Sequence, residues 1–169
     1  FESAAPAFQR AIDIEPTKNA YSNLGMMQYY LGDLDAAVDS LSAAVELRPN
    51  DHLARSNLGD VLWIAGRKDE AESAFRTAEA MALQALQVNP KDPLTLMDLA
   101  WIKTSLDRHA EARELIERAI KAVPDDPYVH YIDGLMHNRL GETVDAIDAF
   151  EEAVELGYST KLLLGDPNI

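Results

Sequence analysis

Three side chains with metal-binding chemistry stand at regular spacing near the end of the sequence: His130, Asp133 and His137. On an α-helix this spacing of three and then four residues places all three on one face. Imidazole nitrogens and carboxylate oxygens both bind Zn²⁺ and other transition metals. The two histidines, however, would lie about 10 Å apart along the helix axis, which is too far for both to bind one ion. The pattern therefore provides a half-site that needs further ligands.

Two other interpretations of these three residues remain open. The internal repeat of the sequence puts them on the face that packs against the next helix, and this favours a half-buried polar cluster with a structural role. Because histidine changes its charge near neutral pH, the cluster could also act as a pH-sensitive packing point. We predict the structural cluster, and we expect no metal site.

Other catalytic patterns are missing from the sequence. The chain has no cysteine, which excludes thiolate metal sites and cysteine nucleophiles. It has neither a glycine-rich phosphate loop nor a Gly-x-Ser-x-Gly motif. Pairs of carboxylates, such as Asp125-Asp126 and Glu151-Glu152, fall on helix faces and at helix starts, where acidic residues complement the helix dipole. The sequence therefore predicts a protein that is not an enzyme and needs no cofactor.

The overall charge of the chain excludes some classes of binding partner. Among 169 residues, 15 Lys and Arg stand against 29 Asp and Glu, and the formal net charge is −14. Such a chain repels nucleic-acid phosphates and anionic membrane surfaces, so we expect it to bind neither. No stretch approaches the roughly 20 apolar residues of a membrane-spanning helix. Because the sequence starts at Phe1 rather than at Met and has no secretory signal, we interpret it as a fragment or a processed product.

The elements that carry these residues follow from an internal repeat of 34 residues. Gly25 and Gly32 recur 34 residues later as Gly59 and Gly66, and a third glycine pair has the same spacing of seven residues. A small residue, a large apolar residue and a closing proline follow the glycines at fixed distances. The recurring positions are Gly134 and Gly141, then Ala37, Ala71 and Ala146, then Leu41, Phe75 and Phe150, then Pro16, Pro49, Pro90 and Pro124. The stretch around Asp107 and Ala112 keeps this frame without the glycines.

The repeat unit reads as two helices joined by a turn. After Asp33, apolar residues recur at helical spacing at Leu34, Val38 and Leu41. A glycine after the first helix can adopt the left-handed conformation that ends a helix, and a proline stops the second helix. One such hairpin cannot bury its own apolar face, whereas several stacked hairpins bury a continuous one. The sequence therefore predicts an all-α solenoid.

The pattern of Leu24-Gly25, Gly32, Ala37, Leu41, Ala44 and Pro49 resembles the tetratricopeptide repeat. The resemblance implies a right-handed superhelix of antiparallel helix pairs that forms a single domain over residues 1–169. Residues 1–17, with Ala4 and Phe8 in register, resemble the second helix of a partial repeat. Four complete units follow, and a capping helix begins after them. Their bounds are 18–51, 52–92, 93–126 and 127–160, with the start of the cap at 161–169.

Two departures from the regular pattern stand out. The second unit is seven residues longer than its neighbours, and residues 68–88 read as one helix that extends about 10 Å further. Asp133 stands where the other units have leucine, at Leu24, Leu58 and Leu99. The long second unit and the ending at residues 153–159 also resemble the C-terminal repeat regions of bacterial signalling proteins, which implies the regulatory part of a larger protein.

The resemblance also implies where a partner would bind. In this family the first helix of each unit lines a concave groove, and here those positions are rich in rings, amides and methionine. The predicted peptide-binding residues are Asn23, Met26, Tyr29, Tyr30, Asn57, Asp60, Trp63, Met97, Asp98, Trp101, Tyr128 and Tyr131, with Asn138 at a further groove position. Asn23 and Asn57 occupy the same position in their repeats. Side-chain amides at such a recurring position can hydrogen-bond the backbone of an extended peptide. The alternative is that rings and methionines at this spacing are simply core.

Some members of the family grip the C-terminal carboxylate of a partner through cations in the groove. Here the corresponding places hold Ser22, Met26, Asn57, Leu94 and Asp98, and none of these carries a positive charge. We therefore expect a peptide or helix with apolar anchors, and with basic residues rather than an acidic tail. The competing functional hypothesis is self-assembly through the open end of the partial repeat and the long helix of the second unit.

Overall fold

The structure is a computed structural model that describes residues 5–169, and Ala4 of the partial repeat lies outside that range. Within residues 5–169 the helices are the only regular elements, which confirms the all-α class. In this part of the chain they are α1 (Ala5–Ile14), α2 (Lys18–Tyr30), α3 (Leu34–Leu47), α4 (His52–Ile64), α5 (Lys68–Val88), α6 (Pro93–Ser105), α7 (His109–Ala122), α8 (Pro127–Arg139), α9 (Thr143–Glu155) and α10 (Thr160–Leu163).

Short polar side chains fix where several helices begin. The carboxylates of Asp51 and Asp92 accept the backbone N–H of the residue three positions later, at 2.9 and 2.8 Å. Thr17 caps α2 in the same way, and Asp126 caps α8 by accepting the N–H of Tyr128. Each cap satisfies an amide that has no acceptor inside the helix. Part of the large acidic content is therefore explained by helix caps.

The turn inside each helix pair requires a left-handed residue. Gly32, Gly66 and Gly141 have φ between +74° and +79°, a region that residues with a Cβ rarely adopt. In the third pair Asp107 takes this place with φ +59°. Aspartate tolerates the left-handed region better than most residues do, which explains how the third unit keeps its turn without glycine.

The first glycine of each pair has a different task, which is to let two helices approach. A Cβ built on Gly59 would lie 2.7 Å from a ring carbon of Phe75, and one on Gly134 would lie 2.4 Å from the ring of Phe150. These distances are well below van der Waals contact. The seven-residue glycine spacing therefore combines a packing position with a turn position.

The chain divides into two compact units, the first ending at Met81. In this first unit, α2 packs against α1, α3 and α4, and α3 also packs against α4. Its innermost side chains are Tyr29, Leu41, Val61 and Phe75. Because α2 and α4 touch, the predicted groove residues of the first two repeats lie on neighbouring helices.

The second compact unit begins at Ala82. There α6 pairs with α7, α8 pairs with α9, and α8 also packs against α6 and α7. Its innermost side chains include Leu96, Leu99, Ile102 and Val129.

The helix α5 runs without interruption over 21 residues, the span that the sequence predicts for the long helix. None of the helices within residues 5–169 combines the length and the apolar character that crossing a bilayer requires.

Candidate binding surfaces and a polar cluster

The first unit presents most of its predicted groove residues at the surface. Asn23 on α2 is exposed. Five others are partly exposed, and we call all six together the α2–α4 surface. The five are Met26 and Tyr30 on α2 and Asn57, Asp60 and Trp63 on α4. Tyr29 instead points into the core and is only 2% exposed, with its ring 5.5 Å from that of Tyr30.

Trp63 is the largest ring of the α2–α4 surface. The ammonium of Lys68, at the start of α5, lies 3.5 Å from the centre of its indole ring. A cation over an aromatic face is an attractive contact, and it fixes one side of the indole. The α2–α4 surface therefore combines a positioned aromatic ring with two amides and one carboxylate.

The second unit presents fewer of its predicted residues. Tyr128 is 40% exposed and Asp98 is partly exposed, whereas Met97, Trp101 and Tyr131 are buried. As folded, these three side chains have little surface left for a partner.

This burial extends along most of α6. Every residue of α6 from Thr95 to Ser105 except Asp98 is buried. The guanidinium of Arg139 lies 5.6 Å from the ring centre of Trp101 and donates to the hydroxyl of Ser105. Trp101 is thus enclosed by its own helix and by α8.

Three tyrosines of the second unit stack on one another. The ring of Tyr131 lies 4.3 Å from that of Tyr158 and 5.6 Å from that of Tyr128, in stacked geometry. Tyr158 was not among the predicted site residues, because it lies after α9, outside the first helices of the repeats. Burial raises the pKa of the Tyr158 phenol to about 12, although a hydrogen bond with Tyr131 acts in the opposite direction.

The raised pKa of Tyr158 predicts a loss of stability in alkali. The unfolded phenol ionises near pH 10, whereas the folded phenol stays neutral until about pH 12. The stability that depends on the neutral form is therefore present below pH 10 and is lost between these two values. We expect urea midpoints of the wild type to fall more steeply from pH 9 to pH 11 than those of Tyr158→Phe. Equal slopes would contradict the prediction.

The predicted polar cluster is only partly assembled. His137 Nε2 lies 3.5 Å from Asp133 Oδ1, and His137 Nδ1 lies 2.7 Å from Glu142 Oε2. Arg113 on α7 donates to the other oxygen of Glu142. His130 instead bonds the carbonyl of Pro124 at 2.7 Å. The structure therefore joins two of the three predicted residues and adds Arg113 and Glu142.

Arg113 and Glu142 are not among the residues predicted from the sequence, although the repeat frame contains a signal for Glu142. It stands at the first position before α9, next to the end of α8, because the two helices form a tight hairpin. Arg113 comes from the preceding pair, and spacing along the chain gives no sign of it. A cleft of about 200 Å³ beside the cluster is lined by Arg113, Asp133 and His137, among others.

The two carboxylates of this cluster are perturbed in opposite directions. Burial raises the pKa of Asp133 above its usual range, against the pull of His137, His130 and Arg113. Hydrogen bonds from Arg113 and then His137 lower the pKa of Glu142. His137, Glu142 and Asp145 offer ligand atoms within 4.8 Å of one another and are the residues that could hold a cation. Arg113 already supplies positive charge to one of those carboxylates, so a metal would compete with it.

Known repeat families and proteins match this chain. Two family models described as tetratricopeptide repeat match residues 22–82 and 71–132. The bacteriophage adsorption protein A of Escherichia coli K12 is 34% identical over 106 residues, which are 63% of this chain and 10% of that protein. A TPR repeat-containing protein of Methanocaldococcus jannaschii is 29% identical over 100 residues, or 58% of this chain and 18% of the relative.

A solved structure shares the fold. A thermophilic TPR protein of Thermus thermophilus superposes with a TM-score of 0.65 at 18% sequence identity, over 96% of this chain and 86% of that one. The matched regions of the two sequence relatives span less than a fifth of their lengths. What is similar is thus a set of repeats within much longer proteins.

Proposed function

Because this chain belongs to the tetratricopeptide-repeat family, a family of protein-interaction scaffolds, we propose that it binds a peptide or helix of a partner protein on the first helices of its repeats. The observation that carries the proposal is the α2–α4 surface. Two helices in contact expose an indole, a phenol, a thioether and two amides there. Aromatic rings and methionine at a surface are favoured contact residues, because they bury much area with few rotatable bonds.

The charge of the chain supports one class of partner segment. The net charge is −14, and Asp60 adds a carboxylate to the α2–α4 surface itself. Complementary charge speeds association and selects among partners. The surface therefore suits a segment with an apolar or aromatic anchor and basic neighbours, whose backbone can bond the amides of Asn23 and Asn57. By binding such a segment, this chain would serve as the regulatory or scaffolding part of a larger protein.

The test uses peptides selected on the wild-type chain from a random library of twelve residues. We expect the selected peptides to be basic and to carry an apolar anchor. Trp63→Ala should weaken their binding at least tenfold, because truncating a central aromatic anchor removes a large share of binding energy. Titration calorimetry measures the change, and far-ultraviolet circular dichroism checks that the variant remains helical.

The matched control for Trp63→Ala is Leu47→Ala. Leu47 is also a half-exposed apolar residue of the first unit, but it ends α3 and lies outside the α2–α4 surface. We expect this control to bind the selected peptides like the wild type. Unchanged affinity of Trp63→Ala, or an equal loss in the control, would contradict the proposed binding surface.

Self-assembly is the second candidate function. The observation that favours it is that Leu83 and Val88, near the end of α5, are 44% and 86% exposed. Apolar side chains that project from a helix can pack against a second copy. Light scattering at several concentrations measures the mass of the particle in solution and so separates the two functions. A chain that binds peptides and stays monomeric at every concentration would exclude self-assembly.

A further inference from the structure

The residues after α10 make specific hydrogen bonds to α8. The phenol of Tyr131 donates to Asp166 Oδ2, and Asn138 Nδ2 donates to the carbonyl of Asn168 at 2.9 Å. Tyr131 and Asn138 are seven residues apart on α8, and both hold positions that the repeat pattern assigns to the groove. Residues 165–169 therefore lie on part of the surface predicted for a partner.

This segment is folded into a compact polar turn. Asp166 Oδ1 accepts both the backbone N–H of Asn168 at 2.8 Å and its side-chain amide at 3.0 Å. The backbone N–H of Ile169 donates to the Asp166 carbonyl at 3.2 Å. Such Asx turns present a fixed arrangement of carboxylate and carbonyl oxygens. The turn is thus shaped to meet a hydroxyl and an amide donor at two separate points.

Asp166 is buried and therefore needs hydrogen-bond partners. Its side chain is 7% exposed, and burying a carboxylate is costly unless it is hydrogen-bonded. The donors that meet it include the Tyr131 phenol, which belongs to a residue that is itself 5% exposed, and the amides of Asn168. An apolar side chain at this position would offer no acceptor to the Tyr131 phenol or to the Asn168 amides, so these bonds favour a carboxylate.

We propose that residues 165–169 are an internal ligand, and that Tyr131 and Asn138 form a recognition site for an Asp-Pro-Asn turn. The site is occupied by the chain's own segment, which therefore competes with any partner that binds on α8. The regulatory effect of this contact rests on the proposed function. Only a chain that binds partners through its first helices is regulated by such competition. It concerns α8 alone.

The experiment offers the segment back to the protein as a separate peptide. The probe is a fluorescein-labelled, C-terminally amidated peptide of residues 161–169, and the partner is the complete chain carrying Asp166→Ala, which breaks the internal contact. Fluorescence anisotropy should show at least tenfold tighter binding to this variant than to the wild type, whose site is filled. The same peptide carrying Asp166→Ala is the control and should not bind detectably.

Two further variants make the outcome decisive. Adding Tyr131→Phe to the Asp166→Ala chain should reduce binding of the natural peptide at least fivefold, because it removes the phenol donor and keeps the stacked ring. The complete chain carrying Asp166→Asn repeats the anisotropy measurement with a side chain that has the shape of aspartate and no charge. Equal binding of both peptides, or no gain over the wild type, would overturn the proposal.

Loss of helix content in both Asp166 variants would also overturn it, since the segment would then be part of the core and not an exchangeable ligand. Selected basic peptides report on Trp63 independently. A chain that binds those peptides but does not exchange residues 161–169 keeps the proposed function and loses this inference.

Discussion

Phe75→Ala is expected to lower the free energy of unfolding by about 4 kcal/mol. The Phe75 ring has no exposed surface and lies directly over Gly59, where α5 crosses α4. Removing it loses the transfer free energy of the ring and leaves a cavity that close-packed helices cannot fill. Chemical denaturation followed by circular dichroism measures the change in the urea midpoint.

The same contact allows a double-mutant cycle. Gly59→Ala alone should cost about 2 kcal/mol, because a new methyl group meets a fully buried ring that has no room to move. In the double variant the methyl occupies part of the cavity left by Phe75→Ala. The combined loss should therefore be smaller than the sum of the two single losses.

Ile14→Ala is the matched control for this cycle, because Ile14 is an apolar residue of the same unit that is 86% exposed. It should change stability by less than about 0.5 kcal/mol. Additive losses at Gly59 and Phe75 would show that the glycine does not set the distance between the two helices.

Asp133→Leu is expected to raise the free energy of unfolding at pH 7 by about 2 kcal/mol, the gain from burying a leucine side chain. Asp133 occupies the position that holds Leu24, Leu58 and Leu99 in the other repeats. Because burial raises its pKa, the folded state binds the proton more tightly than the unfolded state does. Its contribution is therefore most favourable below the ordinary carboxyl pKa and is lost as the pH rises through the folded value.

The pH dependence separates charge from packing at this position. Asp133→Asn keeps the shape of the side chain and removes the charge, so its gain should be smaller than that of leucine and should vanish near pH 4. The gain of Asp133→Leu should persist there in part. Urea midpoints at pH 4, 5.5 and 7 measure both. A wild type more stable than Asp133→Asn at pH 7 would show that the contacts of the Asp133 carboxylate outweigh the cost of its burial.

Helix pairs were predictable because several independent signals agree at each repeat. The glycine spacing, the alanines and the closing prolines all have a structural counterpart, as Gly59 against Phe75 and Gly66 in the left-handed turn illustrate. The third unit was predictable without glycine because Asp107 keeps the frame. Such features depend on neighbours a few residues apart, which a single sequence shows directly.

Exposure of the candidate site residues was less predictable. Along α6 nearly every side chain is buried, so helical spacing alone does not distinguish the side that meets a partner from the side that meets α7 or α8. Trp101 and Met97 are buried, whereas Trp63 and Tyr30 keep exposed surface, although all four fit the same helical spacing. The bond from Arg113 to Glu142 joins residues 29 positions apart, and local patterns contain no information about it.

The covalent tether of residues 165–169 sets a threshold for whatever competes with them. The contacts of this segment with α8 join residues 30 and 35 positions apart, with α9 between them, so the chain keeps the segment near its site and raises its effective concentration there. A competitor would then show an apparent dissociation constant equal to its intrinsic one divided by the fraction of sites that are free. Occupation of α8 would thus require more competitor than its intrinsic affinity alone implies, and a complex with a dilute partner would need contacts beyond those that the turn itself makes.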